Sequence, residues 1–435
     1  MKSRSRAALI PVLAAASLAL IVSAHPASTA AAADTVPVAL PQERAYDFWR
    51  SLNVNTHFSF AGSPYDAKAV QQVIDLGVAG IRDKLAVNAM GFPGSRPQVE
   101  AFRELQAAGV RVHTTIGTLG DSRARIDASV GAARQLGGAQ MFRSFGGVNE
   151  PNKGHLPGWA EATVAHQRYI WEATADLRAD GLEIAGPSLY DQGGSPEQDF
   201  AKLAALGIGR YVTHGDFHRY PKGVEPSNGL ADRMAWTAMA FDGKPTYATE
   251  TGYNTGLHIT DRGNPVTEEE QATYTPRLFA EFFATGVDAT FLYALLDDMS
   301  RSDEWQRYWG QIRADGTRKP SYKALSYLAH LVKGASPKAD TAPLKVAISS
   351  ADPRIRFLNL DFGGKHLLLV WRDVRTTELE SVRFTMRFER SVQPTIHRIG
   401  TQTERTRAPN RDHSLQIGND LVVIELPVVS ASTRR

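Results

Sequence analysis

Two spacings of apolar residues alternate along the chain from about residue 45 to residue 336. A stretch with apolar positions three and four apart ends in a glycine, and a short apolar run follows within a few residues. The first such unit runs from Asp66 to Gly77 and is followed by residues 80–85. Val70, Val73 and Ile74 lie on one helical face. Asp66 can accept hydrogen bonds from the free N–H groups of the first turn, and Gly77 can take the left-handed conformation that closes the last. The same punctuation recurs at Gly109 before residues 111–116, at Gly137 before 141–145, at Gly181 before 182–185, at Gly207 before 210–213, at Gly243 before 245–248 and at Gly286 before 289–293. Residues 53–58 supply a leading strand, and a last helix from Ser321 to about Val332 ends at Gly334. Parallel strands need such helical crossovers. Eight alternating units over roughly 290 residues predict an α/β protein, a (β/α)8 TIM barrel, over residues 45–336. No GxGxxG follows the first strand, so a dinucleotide-binding sheet is not indicated.

The spacing changes after Gly334. Residues 355–360, 366–371, 382–388 and 421–426 read as short alternating strands without helical periodicity. They predict a C-terminal β-sandwich domain over residues 340–435. At the other end, Lys2, Arg4 and Arg6 precede an apolar stretch from Ala7 to about Val22. Small-residue sites follow at Ala24 and Ala30, so residues 1–30 read as a signal peptide. The stretch is shorter than the ~20 residues a bilayer span needs. Residues 31–44, rich in Ala, Pro and Thr, read as a linker.

Composition narrows the function. The chain has no cysteine, which excludes disulfides, thiolate metal sites and a cysteine nucleophile. Net charge is only +3 and no dense Lys/Arg run occurs, so a nucleic-acid partner is not expected. The mature protein is expected to be secreted, monomeric and free of the membrane.

In a TIM barrel the residues at the C-terminal strand ends line the active site. Strand 2 carries Arg82 and strand 3 carries His113. Strand 4 ends in Asn149-Glu150-Pro151, strand 6 in Asp216 to Tyr220, strand 7 in Thr249-Glu250-Thr251-Gly252 and strand 8 in Tyr293 to Asp298. Strands 4 and 7 lie nearly opposite each other, so Glu150 and Glu250 can bring their carboxyls to ~5 Å, the separation of double displacement at an anomeric carbon. That chemistry needs one carboxyl protonated for the leaving oxygen and one ionised for attack.

These residues carry a resemblance. Asn149-Glu150-Pro151 resembles the acid/base motif of glycoside hydrolase clan A, and Thr249-Glu250-Thr251-Gly252 resembles its strand-7 nucleophile motif. His218-x-Tyr220 and Arg82 resemble the clan's strand-6 and strand-2 residues, and residues 313–325 resemble the segment entering the last barrel helix. A barrel followed by a sandwich resembles the β-xylosidase/α-iduronidase family and related secreted endoglycosidases. The resemblance implies a secreted retaining glycosidase acting on a β-linked polysaccharide or oligosaccharide, with Glu150 as acid/base and Glu250 as nucleophile. It implies that Asn149 bonds the sugar 2-hydroxyl, that Arg82 and Tyr220 keep Glu250 ionised, and that His218 lines the same subsite. The chain departs from many clan members at strand 8, where Tyr293 replaces a tryptophan. Trp305 and Trp309 in the following loop are then the expected stacking surfaces.

Two other readings stay open. A non-catalytic carbohydrate-binding protein could keep such a barrel. His57, His113, His214 and His218 could gather as a metal cluster, although no His-x-His pair marks an early strand. The expectation is no metal and no cofactor.

Overall fold

The computed structural model describes residues 28–29, 36–60, 62–87, 96–190, 195–259, 261–262 and 264–428. The expected signal peptide and the first part of the linker fall outside these residues, except Ser28–Thr29.

Eight parallel strands form the barrel: β1 (Leu52–Asn55), β2 (Gly80–Arg82), β3 (Arg111–Thr115), β4 (Phe142–Gly146), β5 (Glu183–Ile184), β6 (Gly215–His218), β7 (Thr246–Thr251) and β8 (Val287–Leu292). Their order is β5-β4-β3-β2-β1-β8-β7-β6. A single parallel bridge between Ala185 and His214 joins the two outer strands and closes the cylinder. Eight helices cover it: α1 (Ala67–Leu76), α2 (Arg96–Ala107), α3 (Arg123–Gln135), α4 (Trp159–Ala173), α5 (Pro196–Ala205), α6 (Leu230–Ala240), α7 (Glu268–Ala284) and α8 (Pro320–Val332). Asp66 caps α1 by accepting from the backbone N–H of Lys68 and Ala69, and Gly77 closes it at φ 82°. Val70 and Val73 are buried as expected, with Leu76 rather than Ile74 completing the inner face. Among the described residues no helix is long and apolar enough to cross a membrane.

Strand 6 lies away from its expected position. Residues 210–213 do not form it; Ile208–Tyr211 make a 3₁₀ turn, and the strand starts at Gly215. Gly207 at φ 68° opens that turn and sends Ile208 into the core.

The barrel interior is filled, as closed barrels of this size require. Tyr247, Phe291, Ala185 and Ala289 pack together, and the rings of His113 and His214 lie 6.0 and 4.7 Å from that of Tyr247. Below them Arg143 pairs with Glu183 and Asp288. His113 and His214 are thus wall residues of the interior and do not gather with His57 and His218 into a metal cluster.

The C-terminal part is a sandwich of two sheets. One contains β10 (Ile355–Asp361), β11 (Lys365–Arg372), β13 (Thr395–Arg398), β14 (Thr403–Thr406) and β16 (Val422–Pro427). The other contains β9 (Lys345–Ser350), β12 (Val382–Val392) and β15 (Asn410–Ile417). Residues 36–44, read from sequence as the end of a linker, instead run along both sheets. Val38–Ala39 pairs with β9, and Glu43–Arg44 pairs in parallel with β10. β11 explains its own unbroken apolar run, since it is buried on both faces. Leu368 and Val370 face the sandwich core, while Leu367, Leu369 and Trp371 join the core of the barrel.

The contact between the two parts reaches the barrel mouth. Trp371 Nε1 donates to Glu281 Oε2 on α7 at 2.8 Å, and Arg277 donates to the Val374 carbonyl at 2.6 Å. Ser227, in the loop after β6, donates to Asp373 at 2.8 Å. Removing residues 340–435 would bare the part of the barrel core that Leu367, Leu369 and Trp371 join and would leave Glu281 without its Trp371 donor. Apolar surface exposed in this way costs ~25 cal/mol per Å2. The truncated chain is expected in the insoluble fraction; a soluble barrel with the melting temperature of the full chain would contradict this.

Candidate active site

Six of the residues singled out from sequence form one hydrogen-bonded cluster at the C-terminal ends of the strands. Arg82, ending β2, donates from Nη1 to Glu250 Oε1 at 2.7 Å and to Asn55 Oδ1 at 3.0 Å, and from Nη2 to Asn149 Oδ1. Tyr220 donates to Glu250 Oε2 at 2.8 Å. His218 Nδ1 lies 3.3 Å from Glu150 Oε1 and 3.5 Å from Glu250 Oε2. An oxygen of Glu150, an oxygen of Glu250 and a ring nitrogen of His218 all fall within 4.8 Å of one another.

The backbone aims both carboxylates. Beyond β4, Asn149 bridges to Ser188, the Glu150 N–H bonds the Ser188 carbonyl at 2.8 Å, and Glu150 sits at φ 49°. A non-glycine residue in that region is strained and held by its surroundings. Glu250 lies where the pairing of β7 with β6 slips between Ala248 and Glu250. Such an irregularity re-aims a side chain at a barrel rim.

The electrostatics separate the titrating groups. Burial pushes Glu250 up, but the charges of His218 and Arg82 and the bonds from Arg82 and Tyr220 outweigh it and hold the carboxyl down at about 2. Burial raises Tyr220 far above its ordinary value, with the charge of Glu250 adding to it, so it remains a donor. His218 is opposed by burial, yet the charges of Glu250 and Glu150 and the bond to Glu150 leave it raised. Beneath them Asp216 accepts from Thr249 and is pushed up to about 7 by burial.

The cluster opens into a cleft of about 1090 Å3. Arg82, Asn149, Glu150, Tyr220, Glu250, Tyr293 and Trp305 line it. His218 does not; it is fully buried under the two carboxylates, so it can touch them but not line a subsite. Tyr293 and Trp305 stand apart from the polar cluster. Tyr293 bonds Gln306 at 3.3 Å, and with Tyr220, Trp305 and Trp309 it forms an aromatic wall. Sequence reading missed Asn55, which fixes the Arg82 guanidinium from the end of β1, and Asp216 as a buried acid. The only signal for Asn55 was its place at the C-terminal end of the first strand.

Glu150, His218 and Glu250 are the residues nearest to a metal-binding set in the cleft. A cation there would share Glu250 with the Arg82 guanidinium and the Tyr220 hydroxyl, which already occupy both of its oxygens.

No protein-family model matches the chain, and no curated protein sequence does. Solved structures do match. A family 39 glycoside hydrolase from the gut symbiont Bacteroides cellulosilyticus WH2 aligns over 90% of this chain and 83% of its own, with TM-score 0.64 and 16% identity. A glucosidase from Croceicoccus marinus covers 88% of this chain and 97% of its own, at TM-score 0.59 and 11% identity. A family 51 α-L-arabinofuranosidase from Bifidobacterium longum covers 92% and 99%, at TM-score 0.57 and 13% identity. At these identities the likeness is one of fold. That likeness extends over both parts of the chain, the (β/α)8 barrel and the β-sandwich.

Proposed function

We propose that this protein is a retaining glycosidase that hydrolyses O-glycosidic bonds of a β-linked polysaccharide or oligosaccharide. The observation that carries the reading is the carboxylate pair, with oxygens within 4.8 Å of each other and one member held ionised by Arg82 and Tyr220. Retaining enzymes use carboxyls ~5 Å apart, whereas inverting ones leave ~6.5–9.5 Å for a water.

In the first step Glu250 attacks the anomeric carbon, the bond to the aglycone oxygen breaks, and the Glu150 proton passes to that oxygen. In the second, Glu150 takes a proton from water, the water oxygen attacks the same carbon, and Glu250 leaves. Asn149, fixed by Arg82, is offered to the sugar 2-hydroxyl, and the aromatic wall to its apolar face. His218, between the two carboxylates, acts through them and is a positioning residue. Secretion and a monomeric state complete the proposal and rest on the sequence alone.

Proton NMR of the first-formed product tests the mechanism: the configuration of the substrate should appear first, and early appearance of the opposite anomer would exclude double displacement. Activity is also expected to survive dialysis against a chelator, because a carboxylate pair suffices for both steps. A rate lost on dialysis and restored by zinc would overturn that expectation.

A further inference from the structure

The cleft wall carries more cations than its carboxylates neutralise. Three lining cations are paired: Arg82 with Glu250, Lys153 with Glu150 at 3.5 Å, and Arg262 with Asp303. Three more, Lys84 after β2, Lys222 after β6 and Arg301 after β8, also line the cleft, and among the described residues none of them has a carboxylate within ion-pair reach. The remaining lining acids do not balance them. Asp83 is turned toward the loop after β1, accepting from Thr56 Oγ1 and the Phe58 N–H at 2.8 and 2.7 Å. Among the described residues Asp261 is the one lining acid that is exposed and unpaired.

Arg301 is the most constrained of the three. It is half-buried, and its guanidinium carbon lies 5.3 Å from the centroid of the Phe60 ring. Phe60 in turn stacks on His57, with centroids 4.7 Å apart and planes 5° apart. The guanidinium thus sits over the Phe60 ring, and among the described residues its N–H groups have no protein acceptor. Burial, and next the charge of Arg301, push His57 down to about 4, so the fixed cation on this wall is the guanidinium. A guanidinium fork matches a carboxylate or a sulfate bidentately, and a concave wall focuses its field into the cleft.

We propose that the ligand of this cleft is an anionic glycan, whose carboxylate or sulfate groups are read by Arg301 beside Phe60 and His57 and by Lys84 and Lys222 elsewhere on the rim. The proposal takes from the glycosidase reading only that the cleft holds a glycan.

The test is binding, made independent of turnover by the Glu150→Gln protein. Affinity electrophoresis would compare matched polymers: alginate and polygalacturonate against their carboxyl-reduced forms, and chondroitin sulfate against its desulfated form. The acidic member of at least one pair should bind about 10- to 100-fold tighter, the gain of a charge-assisted bidentate contact. The advantage should shrink in high salt. Arg301→Gln, made in the same background, should cut it about tenfold, which diffuse attraction to a chain with 49 Lys and Arg residues would not allow. The pair with the larger gap identifies carboxylate or sulfate as the group recognised. Equal binding within every pair, no binding in any pair, or an advantage untouched by Arg301→Gln overturns the proposal. Hydrolysis is read separately on the wild type. Cleavage of neutral aryl glycosides without acidic preference sinks this inference and spares the glycosidase reading; acidic preference without cleavage of any substrate does the reverse.

Discussion

Glu250→Ala should lower turnover by roughly four to six orders of magnitude, since no glycosyl-enzyme can then form with any leaving group. Glu150→Ala should behave differently. Proton donation is worth about 10²–10⁴-fold and matters least for a good leaving group, so an activated aryl glycoside should still react in its first step. Its second step lacks a base, and the covalent intermediate should accumulate. Azide, small and already nucleophilic, should enter the space left by Glu150 and restore turnover with a product of retained configuration. With Glu250→Ala it should attack from the opposite face and give the inverted product. Exchanged products would mean that the two roles are reversed. Unchanged rates in both variants would mean that the site lies elsewhere.

The second large effect is expected from Arg82→Met. Arg82 is buried and ties Glu250, Asn149 and Asn55 together. Its loss strips Glu250 of its fixed counter-charge, and breaking a buried ion pair from one side costs about 3–5 kcal/mol. In the wild type Glu250 titrates at about 2, below its ordinary 4.5. Its ionisation therefore contributes stability that is fully present above about pH 4.5 and is lost as pH falls through about 2. In Arg82→Met much of that contribution should already be missing at neutral pH. The variant should melt lower at pH 7, its stability should fall less between pH 4.5 and 2, and the acid limb of its rate profile should move upward. Parallel stability curves for the two proteins over that interval would show that Arg82 does not set the Glu250 carboxyl.

The barrel was legible because its helices are capped by sequence. The glycines closing the repeating units, from Gly77 to Gly286, all sit at positive φ, a conformation that glycine alone adopts without strain. Strand ends were legible where the motif was polar and compact, as at Asn149-Glu150. Strand 6 was misplaced for a related reason. Its inward positions carry Asp216 and His218, so it lacks the apolar run by which a buried strand is recognised. Residues 36–44 gave no strand signal because Val38–Ala39 and Glu43–Arg44 are two-residue pieces. Their extended state is set by partners about 300 positions away. The depth of His218 and the stacking of Arg301 on Phe60 were beyond spacing arguments. Both depend on how loops from different strands pack, and periodicity carries no record of that.

The bond from Ser227 to Asp373 bears on how such a protein can change over evolutionary time. The loop after β6 supplies Tyr220 to the carboxylate cluster, and the same loop is held through Ser227 by the first residue after β11. Arg375 adds a looser tie to Glu225 at 3.8 Å. The sandwich is therefore not a cassette that recombination can exchange freely. A donor lacking an acceptor at position 373 would join the barrel without its grip on the mouth. Barrel and sandwich are tied to inherit change together, and drift in a β-strand connection outside the cleft becomes drift in the setting of the tyrosine that bonds Glu250.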